Sequence, residues 1–297
     1  MRVLITGATG MIGGALSRVL APRGDTVLRL TRGRPRDPLE FGWDPVAGTV
    51  DPAALAGVEA VVHLAGASIA GGRWTASRRA RIMTSRRSGT STIATAVAKA
   101  HPRPRVLVSA SAVGWYGDRG DEVLDEQSGP GSGFLAEVAR SWEEAARPAA
   151  DAGVRVVHPR MGVVLDAHGG ALPPLALPFR LWIGGPIGSG RQWVSWITLH
   201  DAIRAIAYAV SCNELAGPIN VVSPRPLIQL ELARALGRAL GRPSFIPAPA
   251  WAMRVLLGDM GRELLLFSQR VRPVRLEASG FEFDHPEIDE ALRSVLR

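Results

Sequence analysis

Gly7, Gly10 and Gly13 in "RVLITGATGMIGGAL" stand at GxxGxxG spacing, between a β-branched apolar run and an amphipathic segment that opens at Met11. This strand, glycine turn and helix suit a dinucleotide. Gly7 permits the tight turn, Gly10 lets backbone approach a pyrophosphate whose charge the helix N-terminus favours, and Gly13 allows helix and strand to pack closely. Thr9, Met11 and Ile12 complete the loop's cofactor-binding candidates. The end of the second apolar run, "TVLRLTRGRPR", indicates which dinucleotide. An NAD-specific fold places an acid there to hold the ribose 2′-hydroxyl, whereas this chain has Thr31 followed by Arg32. Arg binds a 2′-phosphate through paired, charge-assisted contacts, so NADP(H) is expected over NAD(H). Other chemistry finds less support. No His, Cys or acidic residues stand at metal-ligand spacing, and no GxSxG accompanies the serines, so neither a metal site nor a serine hydrolase is expected. His63 reads as a structural residue at a strand end, and Asp201 as the N-cap of a helix.

The elements that must position these residues alternate. "RVLIT", "TVLRLT", "AVVHLAG", "RVLVSAS", "VRVVHPRMGVVL" and "PINVVS" read as strands that are apolar nearly throughout, and helical segments fall at 11–20, 78–99, 134–152 and 201–210. That pattern predicts a doubly wound α/β fold, a Rossmann-type parallel sheet covered on both faces. After Ser223 the pattern turns helical, so residues 1–223 are expected to form the dinucleotide-binding domain and residues 224–297 a small, mainly helical C-terminal domain. The segment "ALPPLALPFRLWIGGPIGSG", broken by Pro and Gly, reads as a covering loop. A length of 297 residues with 46% hydrophobic side chains accommodates both domains. Cys212 is the only cysteine, and the first residues lack a signal peptide's apolar core. Both features point to a reducing, cytoplasmic setting, and no apolar run is long enough for a membrane span. The net charge of +8 comes almost wholly from arginine, since Lys99 is the only lysine. These arginines are scattered, without interleaved aromatics or a nucleic-acid module, so no nucleic-acid partner is expected.

"TGATGMIGG", "VVHLAGAS", "VLVSASAVGWYGD" and "WVSWITLHDA" together resemble the extended short-chain dehydrogenase/reductase superfamily, that of the nucleotide-sugar epimerases and dehydratases. "SRRSGTSTI", "FLAEVARSWEEAA", "RMGVVL", "LPFRLWIGGPIGSGRQWVSWI" and "INVVSPRPL" are similar to a narrower, atypical branch: epimerase-like oxidoreductases ending in a small domain of unknown function, some labelled cell-division inhibitors. The resemblance runs through the whole chain. It implies that Leu64, Ala65 and Gly66 follow the strand beneath the cofactor and that Ser109 and Arg160 also lie beside it. It further implies that Ser111 hydrogen-bonds a substrate carbonyl or hydroxyl, and that 160–198 contributes to the pocket of a small-molecule substrate. Within that stretch Arg191 could clamp an anionic group and Trp193 could stack on a ring. A homodimer is compatible with the superfamily's habit of pairing through long helices.

One departure is decisive. The superfamily's proton transfer uses a Tyr four residues before a Lys, and here "GFLAEV" places Phe134 and Val138 at those positions. Of the two tyrosines, Tyr116 lies near Ser111 and is the remaining candidate acid or base. Three classes stay open: an NADP(H)-dependent oxidoreductase or epimerase-like enzyme with a non-standard proton donor, a non-catalytic NADP(H)-binding sensor or regulator, and a structural or interaction protein.

Overall fold

The computed structural model describes residues 1–296. Its strands are β1 (Arg2–Thr6), β2 (Thr26–Thr31), β3 (Glu40–Asp44), β4 (Thr49–Val50), β5 (Ala60–His63), β6 (Val106–Ser109), β7 (Ser111–Ala112), β8 (Val123–Leu124), β9 (Arg155–Met161), β10 (Val163–Asp166), β11 (Gly169–Gly170), β12 (Trp193–Val194), β13 (Trp196–Thr198), β14 (Gly217–Val221), β15 (Leu227–Ile228) and β16 (Arg270–Val271). The helices are α1 (Met11–Leu20), α2 (Ala76–Lys99), α3 (Phe134–Glu144), α4 (Arg147–Asp151), α5 (Leu172–Arg180), α6 (Leu199–Ser211), α7 (Gln229–Leu240), α8 (Ala250–Leu257), α9 (Asp259–Gly261), α10 (Val274–Ala278) and α11 (Ile288–Val295).

The main sheet runs β14-β9-β6-β5-β1-β2-β3-β4, with β7 pairing on β9. Every neighbour is parallel except β4, which returns antiparallel along β3. Alternating side chains feed two cores, as a sheet buried on both faces requires. Val3, Ile5, Val62, Val106 and Val108 face α1 and α6, while Leu4, Val61, Leu107 and Val156 join Trp43, Ile93, Val97 and Ala149 on the face of α2 and α4. This is the doubly wound Rossmann-type architecture expected from the apolar runs.

Three features differ from the sequence reading. β3 and β4 extend the sheet beyond β2, although "EFGWD" is too short and too polar to read as a buried strand. Residues 172–180 form a helix rather than a loop, because Pro173 and Pro174 occupy its first turn, where their missing N–H groups have no helical partner to lose. The helix expected over 134–152 is broken at Ala145–Ala146, ahead of Pro148. In addition, strands cross the division expected at residue 223. β15 pairs with β12 and β16 with β8, and α7 and α11 share a third core with Leu165, Phe179 and Trp196.

Candidate functional site

The strand order reverses direction at β1. The chain winds outward from it through β2 and β3 on one side, and through β5, β6, β9 and β14 on the other. Ligands of such folds occupy the crevice at the strands' carboxyl ends beside this point. Register aligns the polar side chains there: Thr6 lies opposite His63, His63 opposite Ser109, and Ser111 opposite Arg160, which is itself opposite Asn220.

The glycine loop is tightly built. Gly7 has φ +70°, a left-handed conformation that disfavours other residues, and a Cβ there would sit 3.0 Å from the backbone of Leu64 and Ala65. A Cβ on Gly13 would come within 2.3 Å of the Gly7 carbonyl oxygen. Gly13 therefore packs α1 against the loop itself. No side chain caps α1 at Gly10, so the N–H groups around Met11 and Ile12 remain open to an anion, aided by the helix dipole. The β10–β11 turn reaches the same helix end, where Gly169 and Gly170 abut the Met11 side chain. Arg32 follows β2 and is exposed, and no carboxylate among the described residues pairs with it, while Arg29 is engaged by Asp37 and Glu40. The Thr31 hydroxyl accepts the N–H of Gly33 and thereby turns the chain at that point. Loop, helix terminus and free guanidinium together fit a dinucleotide carrying a 2′-phosphate.

Beneath the crevice, the Thr6 hydroxyl oxygen accepts the N–H groups of Leu64 (3.1 Å) and Ala65 (3.2 Å) and lies 2.8 Å from His63 Nδ1. With its oxygen thus occupied, Thr6 donates its proton to Nδ1, so His63 carries hydrogen on Nε2. His63 is therefore structural, as expected: it anchors Thr6, and Thr6 holds the Leu64–Ala65–Gly66 backbone in place. Complete burial lowers its pKa from 6.5 to about 3. The unfolded chain takes up this proton below pH 6.5 and the folded one does not, so stability is full above about pH 6.5 and declines on acidification toward pH 3. We expect His63 to account for a loss of about 2 kcal/mol between pH 6.5 and 5. Chemical unfolding at the two pH values should show it, and His63→Asn should flatten the slope by about one proton; an unchanged slope would assign the effect elsewhere.

Ser111 donates to Glu143 Oε1 at 2.6 Å, and the same carboxylate receives Arg160 Nε (2.9 Å) and Nη2 (3.0 Å). Arg160 Nη1 donates to the Tyr116 hydroxyl at 3.0 Å, which donates to Asn220 Oδ1 at 2.7 Å. The Arg160 guanidinium also lies 3.9 Å over the Trp115 ring. This array is almost dry, with Ser111 and Arg160 each 2% exposed and Tyr116 wholly buried. Burial pushes the Tyr116 pKa up to about 12, although Arg160 and Asn220 oppose it. The hydroxyl of Tyr116, expected as acid or base, is thus engaged inside the protein, accepting from Arg160 and donating to Asn220. Arg160, expected beside the cofactor, is the counter-ion of Glu143. Sequence reasoning missed Glu143. It lies nine residues after Phe134 on α3, and only the break at Ala145, which ends that helix, marks its surroundings. Ser109 is buried beside this array with its hydroxyl unpartnered.

The remaining candidates lie on other elements. Arg191 is exposed, and its N–H is held by Ser189. Trp193 donates from Nε1 to Asp121 at 2.8 Å, and Arg270 stacks on its ring at 4.2 Å. Trp193 belongs to the β12–β15 ribbon and Arg191 to the segment just before it, and neither hydrogen-bonds Ser111 or Glu143. Asp201 is not an N-cap. Thr198 caps α6, and Asp201 accepts the N–H groups of Asp284 and His285 and a guanidinium N–H of Arg204. His200, Asp201 and His285 come within 4.8 Å of one another, a grouping that spacing could not reveal because the chain brings His285 from 84 residues away. Asp201 already accepts three donors and His200 Nε2 is engaged by Asp284 at 2.7 Å, which leaves the grouping poor in free ligand atoms.

The positions of the absent Tyr and Lys serve packing. Phe134 and Val138 join Trp74, Ile82 and Met260 in an apolar cluster, and Glu263 accepts the N–H groups of Phe134 and Leu135 at the start of α3. The C-terminal segment thereby covers this end of α3. Comparison with known proteins agrees with the architecture. The model of the NAD dependent epimerase/dehydratase family matches residues 3–221, and a domain of unknown function matches residues 248–295. An epimerase family protein of Mycobacterium tuberculosis is 42% identical over 290 residues, covering 98% of this chain and 96% of its own. The crystal structure of human epimerase family protein SDR39U1 with NADPH superimposes with a TM-score of 0.91 at 36% identity, over 99% of each chain. That of a nucleoside-diphosphate sugar epimerase from Corynebacterium glutamicum gives 0.83 at 36% identity, over 100% of this chain and 58% of its own. With its glycine loop, its parallel sheet and a match along nearly the whole of its length, the chain belongs to the NAD dependent epimerase/dehydratase family.

Proposed function

We propose that the protein binds NADP(H) and acts as an epimerase-like oxidoreductase on a small carbonyl or hydroxyl compound. The observation that carries this reading is the pairing of an open, uncapped α1 terminus with the unpaired, exposed Arg32 at the end of β2. The human relative of known structure was solved with NADPH, which supports the choice of cofactor. When bound, the nicotinamide supplies or accepts hydride. The chain's own residues do the remaining work. Gly7, Gly10 and Gly13 hold backbone N–H groups at the crevice, Arg32 selects the 2′-phosphate, and Thr6 fixes the Leu64–Gly66 wall. Ser111 and Glu143 form the hydroxyl–carboxylate pair through which a proton can pass, Arg160 fixing the carboxylate from the interior side.

A thermal-shift titration with NADPH, NADP+, NADH and NAD+ tests the proposal. A ligand that binds only the native state at a hundredfold excess over its Kd stabilises by about 2.7 kcal/mol. NADP(H) should stabilise, and Arg32→Ala should weaken NADPH binding about 10- to 100-fold while leaving NADH binding little changed. Stabilisation by none of the four would refute the reading. A second reading is supported by Phe134 and Val138 in place of the Tyr and Lys: a non-catalytic NADP(H)-binding sensor. Consumption of NADPH with a panel of carbonyl compounds, lost in Ser111→Ala, separates enzyme from sensor.

A further inference from the structure

Away from the crevice, exposed apolar side chains gather on one surface. Trp182, Ile183, Phe245, Trp251, Val255 and Leu256 are each between 56% and 76% exposed. The chain after α5 runs alongside the segment that precedes α8: the Ile246 N–H donates to the Gly184 carbonyl at 3.1 Å, that of Ala248 to Pro186 at 2.8 Å, and that of Gly188 to Ala248 at 2.8 Å. The Arg242 guanidinium stacks 4.4 Å over the Trp182 ring and ties the two segments together. α8 continues from them, and none of its residues is buried. Leu257 packs against the cluster of Trp74, Phe134 and Met260, whereas Trp251, Val255 and Leu256 fall within an arc of about 140° on the opposite side. Single exposed apolar residues are ordinary, but a group of this kind marks an interaction surface. Trp182 adds a second sign. It holds a left-handed φ of +65°, the only positive φ outside glycine among the described residues, and such strain persists where a site makes use of it.

Charge identifies the occupant. Residues 167–200 and 232–258, which supply the patch, contain no Asp or Glu. Arg180, Arg242 and Arg254 adjoin the apolar residues, and no carboxylate among the described residues pairs with them. The acids that follow α8 are committed elsewhere, Asp259 to Arg79 and Glu263 to the N–H groups of Phe134 and Leu135. A second copy seated on the same face would set arginine against arginine. An anionic bilayer satisfies both components, since its headgroups pair with guanidinium groups while tryptophan and aliphatic tips enter the acyl boundary. No helix among the described residues is long and apolar enough to cross a membrane, so the contact is peripheral. We propose that this face docks the protein on an anionic lipid surface, with α8 lying in the interface and Trp182 and Trp251 as its anchors.

Co-sedimentation of the full-length protein with vesicles tests the proposal, using phosphatidylcholine alone and phosphatidylcholine mixed with an equal part of phosphatidylglycerol. The wild type should partition at least about tenfold more strongly onto the mixed vesicles and lose most of this preference at high salt. Trp251→Ser should weaken partition by about tenfold or more, through lost apolar burial, and Arg254→Gln by about fivefold. Trp182→Gly should weaken it as Trp251→Ser does, with a melting temperature unchanged or raised, because glycine adopts the left-handed conformation without strain. Absence of wild-type binding, equal binding to both vesicles, or undiminished binding by both tryptophan variants would overturn the proposal. So would a wild type that sediments as a dimer and becomes monomeric in Trp251→Ser, which would assign the face to a second copy of the chain.

Discussion

Glu143→Ala is expected to destabilise the protein by about 3–5 kcal/mol, the largest loss of stability we anticipate from removing a single charged group. Arg160 is 2% exposed and directs Nε and Nη2 at the Glu143 carboxylate. Burial works against its charge, and the carboxylate more than offsets this, so the guanidinium's pKa lies above its usual value. Removing the carboxylate leaves a desolvated cation with one hydrogen bond, to the Tyr116 hydroxyl, and the Trp115 ring face, and it strips Ser111 of its acceptor. Glu143→Gln keeps an acceptor oxygen for Ser111 and should cost less than the alanine variant. A double-mutant cycle with Arg160→Met isolates the pair: if the ion pair is the cause, the double variant should recover part of the loss, since an apolar replacement removes the uncompensated charge. Chemical unfolding measures all four proteins. A loss below about 1 kcal/mol in Glu143→Ala would show that water reaches Arg160 and that the array is not the dry unit described.

That network also shows where the sequence was legible and where it was not. The sheet was readable because each of its central strands is buried on both faces, and continuous apolar runs such as "AVVH" and "VLVS" leave few alternatives. The glycine loop was readable because its physics is local: a left-handed turn, a close approach and a helix start within seven residues. The region around Ser111 was not. Glu143, Arg160, Tyr116 and Asn220 come from α3, β9, a single turn after β7, and β14, and nothing in their spacing says that they meet. Taken singly, Tyr116 looks like a proton donor and Arg160 like a ligand clamp. Only the three-dimensional arrangement shows that each satisfies the other. Arg86 is a similar case, since a helix containing Arg78, Arg79, Arg81, Arg86 and Arg87 gives no sign of which arginine turns inward.

Gly13→Val should abolish the stabilisation by NADPH and itself cost about 3 kcal/mol or more, at or above the upper range for forced overpacking. The first atom of any side chain at position 13 would stand 2.3 Å from the Gly7 oxygen, 2.9 Å from its carbonyl carbon and 3.0 Å from the Ala8 Cα. All three are backbone atoms, so no rotamer change relieves the overlap. Gly7 cannot retreat, because its φ of +70° and its 3.0 Å approach to Leu64 and Ala65 hold it against the loop after β5. The helix must therefore move away from the turn, carrying with it the N–H groups at its start. An anion held by those groups loses its fit even where the fold survives. Gly13→Ala should show the same direction at smaller size, because it adds the clashing Cβ without the two methyl groups. Gly42→Ala in β3 is the control, since nothing lies within 4 Å of its Cβ position, and it should keep the full NADPH response with stability unchanged or slightly raised. Thermal shifts with and without NADPH, alongside chemical unfolding, distinguish the cases. Retention of the full NADPH response by Gly13→Val would mean that the dinucleotide does not rest on this loop, and the cofactor site would have to be sought elsewhere in the molecule.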